Sequence, residues 1–193
     1  MGSEMCIRDR FRDEYGEMVI CMDHTNNWRK QSFPQYKANR KKTRDESDHD
    51  WGAIFEQMNI VRDEVINSLP YRTVRVDGCE ADDVIGTICE TNMTSEPILI
   101  LSPDKDFVQL QKFPNVKQYS NLKKKWVEPE VSAEEDLIIK VLKGDTGDGV
   151  PNVLSDDNCL VEGTRQNPLR KPCLLYTSPS PRDLSTSRMP SSA

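Results

Sequence analysis

The sequence has little of what membrane, secreted and zinc-binding proteins require. Its 193 residues contain no run of 18 or more apolar residues, so no membrane-spanning helix is predicted. The amino terminus lacks the apolar core of a signal peptide, which favours the cytosol. The six cysteines include no CxxC pair, and there are only two histidines. We therefore expect reduced thiols and no zinc site.

The composition is that of a globular protein rather poor in apolar side chains. Hydrophobic residues make up 36% and charged residues 30% of the chain, and the formal net charge is −6. This length allows one domain, or one domain and a fragment. The acidic total argues weakly against nucleic-acid binding, but individual segments differ sharply in charge.

Both ends of the chain differ from the rest. Two terminal segments resemble translated sequencing-adapter sequence: residues 1–10, which include MCIRDR, and residues 173–193. The second segment is rich in Ser, Pro and Arg, and it has too little apolar surface to offset the entropy lost on ordering. We expect a non-native leader at 1–10 and a non-native disordered tail at 173–193, with a natural disordered tail as the alternative. On this interpretation the native protein is truncated at both ends.

Between these ends, strand and helix patterns alternate. Short strands are predicted at residues 18–22, 73–76, 98–101 and 116–120, and the last of them begins a hairpin. Helical patterns fill the segments between or after them, at residues 51–69, EADDVIGTICETN, DFVQL and SAEEDLIIKVLKG. This order predicts an α/β fold with a mainly parallel central sheet flanked by helices.

Carboxylates follow the strands of the predicted sheet. They lie after the first strand, at the start of the helix after the second, and after the third: Asp23; Glu80, Asp82 and Asp83; Asp104 and Asp106. The carboxyl ends of parallel strands share one edge of an open sheet, so these acids should converge there. Their mutual repulsion would raise their pKa values or attract a cation. Since oxygen is the only ligand type available, we expect Mg²⁺ or Mn²⁺.

The same acids also have a purely structural explanation. Acids in the first turn of a helix, such as Glu80 and Asp82, interact favourably with the helix dipole, and Asp104 could cap the helix that follows it. The spacing is not that of an EF-hand loop, because Phe and Val follow the Asp-x-Asp pair without the required Gly and Glu. Acids at three separate strand ends favour a metal site over capping alone.

Two further segments have patterns suited to nucleic acid. In KGDTGDGVP, residues 143–151, closely spaced glycines permit tight turns and close backbone approach. This predicts a helix-loop-helix facing a phosphate backbone or its counterion, with an ordinary glycine C-cap as the alternative. In residues 28–44, basic and aromatic side chains alternate, as suits contact with phosphates and stacking on bases. A solvated basic face is the alternative there.

Four segments resemble, in order and spacing, the 5′-nuclease or flap-endonuclease family. They are CEADDVIG, SPDKDFVQL, YKANRKK and GDTGDGVPNV. The likeness is to the ribonuclease H type of T-even phages, a 5′-to-3′ exonuclease and flap endonuclease, and it covers about residues 15–160. It implies a PIN-like nuclease domain at 11–133 with a helical arch at 28–50. The start of a helix-loop-helix DNA-binding region is implied at 134–172.

The resemblance also implies roles for individual residues. Two Mg²⁺ ions, with Mn²⁺ as the substitute, would assist hydrolysis of a phosphodiester, and K⁺ is a further candidate at the helix-loop-helix turn. The ligands of the first ion would be Glu80, Asp82 and Asp104 with Asp23 beside them, and those of the second Asp106, Asp148 and Asp145. Lys37 and Arg40 would be catalytic. Contacts to nucleic acid would come from Tyr36, Lys37, Arg40, Gly147 and Gly149.

The implied function is removal of RNA primers or 5′ flaps during DNA replication. The substrate would be DNA or an RNA–DNA hybrid with a free 5′ end or flap. A single-strand-binding protein or sliding clamp would be the partner of a monomeric, phage-encoded protein in the host cytoplasm. Two other hypotheses stay open: a PIN-type ribonuclease without the arch and glycine-rich turn, and a non-catalytic DNA-binding module whose acids only cap helices.

One departure from the family concerns its first strand. The family opens with a strand that ends in a further metal-ligand Asp, well ahead of the position of Asp23. No segment here matches it, because Asp9 and Asp13 lie in charged sequence without a strand pattern. We therefore expect a fragment that lacks a central strand and is weakly active or inactive.

Overall fold

A computed structural model describes residues 7–92 and 96–169, so the predicted tail at 173–193 lies outside the described residues. The helices are α1 (Ile7–Tyr15), α2 (Arg29–Ser32), α3 (Ala38–Asp45), α4 (Trp51–Ser68), α5 (Ala81–Thr91), α6 (Ala133–Lys143) and α7 (Cys159–Glu162), with a 3₁₀ helix at Lys105–Lys112. The strands are β1 (Val19–Met22), β2 (Arg72–Arg75), β3 (Ile98–Leu101), β4 (Val116–Ser120) and β5 (Lys125–Val127). Each predicted element is present within a few residues of its expected bounds.

The strands form two sheets, where the sequence led us to expect one. β1 pairs in parallel with β2, from Val19 opposite Arg72 to Met22 opposite Arg75. β3 pairs in parallel with β4, and β4 forms the predicted antiparallel hairpin with β5. Parallel pairing therefore predominates, but β1 and β3 each keep one edge without a strand partner in the described part of the chain.

A cavity of about 490 Å³ lies between the two sheets. Its lining includes residues of β1 and β3 and side chains of α5 and α1, among them Ile88, Cys89 and Phe11. Helix α5 contacts β1, β2 and the 3₁₀ helix, so this helix joins the two sheets. Its amino terminus is thereby fixed relative to the ends of both β1 and β3.

The buried core lies between α5 and the second sheet. Cys89, Ile100, Phe107 and Val116 form one buried cluster that joins α5, β3, the 3₁₀ helix and β4. Burial raises the pKa of the Cys89 thiol to about 11, so the residue stays a neutral, apolar part of this core.

Local sequence signals explain where the helices near the carboxyl ends of the strands begin. At the start of α5, Glu80 and Asp83 form a capping box. A second capping box, from Ser132 and Glu135, begins α6, and Gly144 ends that helix with a φ of 66°. Asp104 caps the 3₁₀ helix by accepting a hydrogen bond of 2.9 Å from the Asp106 amide.

Helix α4 has the predicted bounds, but its apolar side chains are not covered. Asp50 caps the helix through the Ala53 amide, and no residue of α4 is buried. Met58 and Val61 are 61% and 58% exposed. Across the ranges that the structure describes, none of the helices is both long and apolar enough to cross a membrane.

Replacing Phe107 by Ala should destabilise the fold by about 3–5 kcal/mol, because it leaves a cavity in the centre of the core. Phe107 is 5% exposed, whereas Leu122 is 78% exposed and provides the matched control. Urea unfolding measures the stability of both variants. Leu122→Ala should change the free energy of unfolding by about 0.5 kcal/mol or less. Equal losses in the two variants would contradict the assignment of the core.

Candidate metal and nucleic-acid site

The ends of β1 and β3 and the first turn of α5 bring three carboxylates to one place. Asp23 follows β1 and accepts a hydrogen bond of 2.7 Å from the Ala81 amide at the start of α5. Asp104 follows β3, and both Asp23 and Asp104 lie near enough to Asp82 for their charges to raise its pKa. The two strands therefore end at the same edge, as the sequence predicts for a parallel arrangement.

Asp82 is the acid whose charge is least compensated. Partial desolvation raises its pKa, and the charges of Asp104, Asp23 and Glu80 raise it further, although much of the residue still contacts solvent. Among the described residues, no hydrogen bond or ion pair is formed by its side chain. We call Asp23, Asp82 and Asp104 the open carboxylate group.

A second, more enclosed pair of acids is Glu80 and Asp148. Side chains from residues 28–50, the segment predicted to form the arch, hold both. The Lys37 Nζ atom lies 2.5 Å from Glu80 Oε1 and 3.9 Å from Asp148 Oδ2. The Tyr36 hydroxyl lies 2.7 Å from Glu80 Oε2 and 3.2 Å from Asp148 Oδ2. Arg40 pairs with Asp148 at 2.5 Å. We call Glu80 and Asp148 the enclosed carboxylate pair.

These contacts change the acid strength of the groups involved. Burial alone would raise the pKa of Glu80, but the hydrogen bonds from Lys37 and Tyr36 outweigh it and the pKa lies below its usual range. The pKa of Tyr36 is raised by burial and by its bond to Glu80, so the phenol keeps its proton. Tyr36 is only 7% exposed. In this structure the Tyr36 hydroxyl therefore binds the two acids, whereas the resemblance implies that Tyr36 contacts nucleic acid.

Sequence reasoning placed Asp83 among the acids at the start of α5 but did not predict that Arg29 would pair with it. Two Arg29 nitrogens donate to the Asp83 carboxylate at 2.7 and 2.6 Å, and Trp28 Nε1 donates to it at 3.3 Å. Asp83 also accepts from the Glu80 amide at 2.9 Å, which completes the capping box. The sequence indicated an acidic first turn for this helix, but no sequence pattern indicated that Arg29 would bind Asp83.

The glycine-rich turn packs against the base of the arch. The Lys37 amide donates to the Asp148 carbonyl at 2.7 Å, and Asn39 Nδ2 donates to the Thr146 carbonyl at 2.8 Å. A Cβ atom on Gly149 would lie 2.8 Å from the Gln35 carbonyl oxygen. Gly149 therefore permits a close approach between two backbones of this chain. The predicted contacts of Gly147 and Gly149 with nucleic acid stay predictions.

Two predicted ligands face other partners. Asp106 forms an ion pair with Lys140 of α6. Asp145 accepts hydrogen bonds from the amides of Gly147 and Asp148, at 2.8 and 3.2 Å, and so caps its own turn.

The carboxylates converge without forming a complete set of metal ligands. In residues 7–92 and 96–169, no three His, Cys, Asp or Glu side chains are arranged to hold a metal ion as they stand. The enclosed pair is engaged by Lys37, Tyr36 and Arg40 instead. The predicted ligand sets stay predictions.

Comparison with known sequences decides the family. Residues 4–137 match the family described as "5'-3' exonuclease, N-terminal resolvase-like domain". The chain belongs to this 5′-3′ exonuclease family. The resemblance read from the four sequence segments is thereby confirmed.

Individual relatives agree with that assignment. The ribonuclease H of Enterobacteria phage T4 is 43% identical over 143 residues, which cover 72% of this chain and 47% of that protein. The flap endonuclease Xni of Yersinia enterocolitica is 32% identical over 107 residues, 55% of this chain and 39% of that one. The chain thus spans about half or less of the length of these relatives.

A solved structure has the same fold as this chain. The bacteriophage T5 flap endonuclease, crystallised as a pseudo-enzyme-product complex with DNA and metal ions, matches with a TM-score of 0.63 and 19% identity. The match covers 82% of this chain and 67% of the T5 chain. The predicted PIN-like α/β fold is confirmed.

Replacing Gly149 by Ala should cost about 2–4 kcal/mol of stability, because the new Cβ meets the Gln35 carbonyl and the residue has a φ of 77°. Gly163 has a φ of 72° and nothing near its added Cβ, so Gly163→Ala isolates the backbone cost of about 1 kcal/mol. Thermal unfolding compares the two. Equal losses of stability in Gly149→Ala and Gly163→Ala would show that the close packing of Gly149 against Gln35 does not contribute to stability.

Replacing Asp83 by Asn should reduce stability at neutral pH by about 2 kcal/mol, because Arg29 loses a charged partner whose side chain is 21% exposed. Hydrogen bonds from Arg29 hold the pKa of Asp83 below its usual range. Its contribution is therefore present above the unfolded-state pKa of about 4 and is lost as the pH falls through the lower folded-state value.

Urea unfolding at pH 7 and pH 3 tests this prediction. The difference in the free energy of unfolding between the unsubstituted protein and Asp83→Asn should be smaller at pH 3 than at pH 7. Asp63, paired with Arg62 and 60% exposed, is the control. Its Asn variant should differ from the native sequence by about 0.5 kcal/mol or less. If the difference between the unsubstituted protein and Asp83→Asn is the same at both pH values, the ion pair with Arg29 is not its cause.

Proposed function

We propose that this chain provides the catalytic domain of a divalent-metal-dependent 5′-to-3′ exonuclease and flap endonuclease. The observation that carries the proposal is the convergence of Asp23, Asp82 and Asp104 at the ends of two strands, with a raised pKa at Asp82 and no cationic side chain paired with it in the described residues. The names of the T4 and T5 relatives support the same activity.

The open carboxylate group fits a hard divalent cation. Its donors are oxygens only, and the repulsion that raises the pKa of Asp82 is what a bound cation would relieve. Asp23, Asp82 and Asp104 would hold a first ion, and Glu80 and Asp148 would contribute to a second. The metal ions in the T5 complex support this proposal. Bound Mg²⁺ or Mn²⁺ would supply the charge that activates water and stabilises the phosphate.

The substrate class follows from the base of the arch. Lys37 and Arg40 place two cations at the edge where the acids meet, and the Arg40 side chain is 51% exposed. Cations in this position suit a phosphodiester backbone, and DNA in the T5 complex supports DNA as the substrate. A free 5′ end or flap, an RNA primer and a role in phage replication remain predictions, as do K⁺ at the turn and a single-strand-binding protein or sliding clamp as partner.

One set of contacts favours the non-catalytic alternative. Glu80 and Asp104 do cap helices, as that hypothesis requires. Asp82 is the discriminating residue, because it lies in the first turn of α5 and forms no capping bond in the described residues. Its removal should not weaken a cap, but it should weaken a metal site.

Adding Mn²⁺ should raise the thermal stability of the protein, because the ion binds the folded state preferentially. Asp82→Asn should abolish most of that gain. Asp77, which follows β2 and has a side chain 99% exposed, is the control, and Asp77→Asn should keep the gain. A Mn²⁺ response that is unchanged in Asp82→Asn would exclude the proposed site.

Cleavage of a labelled 5′-flap substrate tests the activity itself. Cleavage should require Mg²⁺, stop with EDTA, and fall at least about 100-fold in Asp82→Asn. Stabilisation by Mn²⁺ without cleavage would indicate a domain that binds the metal but does not hydrolyse this substrate. Cleavage at equal rates with EDTA would contradict metal dependence.

A further inference from the structure

Lys37 occupies the space between the two acids of the enclosed carboxylate pair. Its ammonium lies 2.5 Å from Glu80 and 3.9 Å from Asp148, and its side chain is 21% exposed. The Tyr36 hydroxyl reaches the same two carboxylates. Lys37 is thus the cation that contacts both acids, whereas Arg40 contacts Asp148 alone at 2.5 Å and Arg29 contacts Glu80 alone at 3.4 Å.

The backbone at Lys37 is held in an uncommon conformation that supports this placement. Its φ is 56°, one of two positive values among the non-glycine residues described. The amide of the same residue donates to the Asp148 carbonyl at 2.7 Å, so the glycine-rich turn fixes the backbone. A left-handed backbone at a lysine is sparsely populated and persists only where surrounding contacts stabilise it.

An ammonium and a divalent cation cannot share the space between Glu80 and Asp148. Both would need the same carboxylate oxygens, and like charges a few ångströms apart repel strongly. The Lys37 ammonium can also move away from Glu80 and Asp148 more easily than an arginine could. Its ammonium is a single charge on a flexible stem, whereas Arg29 is bound to Asp83 through two parallel hydrogen bonds. Arg29 can keep the start of α5 in place when Lys37 moves.

We propose that Lys37 is a displaceable occupant of the cation position between Glu80 and Asp148. A divalent ion that enters this position expels the ammonium, which then becomes available to a phosphate of the substrate. This inference rests on the proposed metal-dependent function and adds to it a coupling between metal binding and phosphate binding. Such coupling is reciprocal, so that the phosphate also favours metal entry.

Mn²⁺ titration by calorimetry on the full chain tests the competition directly. Lys37→Ala and Lys37→Gln should each bind Mn²⁺ about tenfold more tightly than the native sequence, because no ammonium has to be expelled. The glutamine variant keeps a hydrogen-bonding side chain, which guards against loss of folding in the alanine variant. Lys41 is exposed on α3, which begins just after Lys37, and Lys41→Ala removes the same charge as a control.

The outcomes separate the two proposals. Tighter Mn²⁺ binding in both Lys37 variants, with Lys41→Ala within about twofold of the native sequence, supports displacement. Equal affinity in the Lys37 and Lys41 variants overturns displacement but leaves the metal-dependent function standing. Absence of Mn²⁺ binding to the native sequence overturns both.

A second measurement follows the released ammonium. A 5′-phosphorylated single-stranded oligonucleotide should bind the native protein more tightly when Ca²⁺ replaces Mg²⁺ to prevent cleavage than when no divalent ion is present. Lys37→Gln should lose most of that Ca²⁺-dependent gain, and Lys41→Ala should keep it. A gain that is the same in all three proteins would show that Lys37 is not the group released.

Discussion

Repulsion between carboxylates at the start of α5 is the constraint on which the rest of the site depends. Five acids from three parts of the chain lie there, namely Asp23, Glu80, Asp82, Asp83 and Asp148. Close negative charges are tolerated only when each is solvated, protonated or paired with a cation. The structure uses a different solution for each of three groups.

Asp83 is held by several hydrogen bonds, since Arg29 and Trp28 both donate to it and it completes the helix cap. Glu80 and Asp148 are paired with side chains that a stronger cation could replace. Asp82 has no cationic partner in the part of the chain that the structure describes, and its pKa is raised. The three groups thus differ in how firmly each is paired, from Asp83 with its two parallel bonds to Arg29, to Asp82 without an ion pair in the described residues.

Sequence patterns predicted the elements whose causes are local. The acid-rich start of α5, the capped α6 and the strand preceding Asp104 depend on neighbouring residues, and all three are present. The convergence of Asp23 with Asp104 followed from a topological rule. The clamp by Arg29, the pairing of Asp106 with Lys140 and the separation of the sheet into two parts depend on contacts between distant segments. No local pattern encodes such contacts, so they could not be foreseen.

The contact between Tyr36 and Asp148 joins residues 112 positions apart in the chain. Contacts of such long range form late in folding, because closing a large loop costs entropy before the contact can compensate for it. During synthesis, the segment around Tyr36 leaves the ribosome well before the turn at Asp148. A nascent chain therefore carries its acids apart from one another, and the charged centre is assembled only after most of the domain has been made.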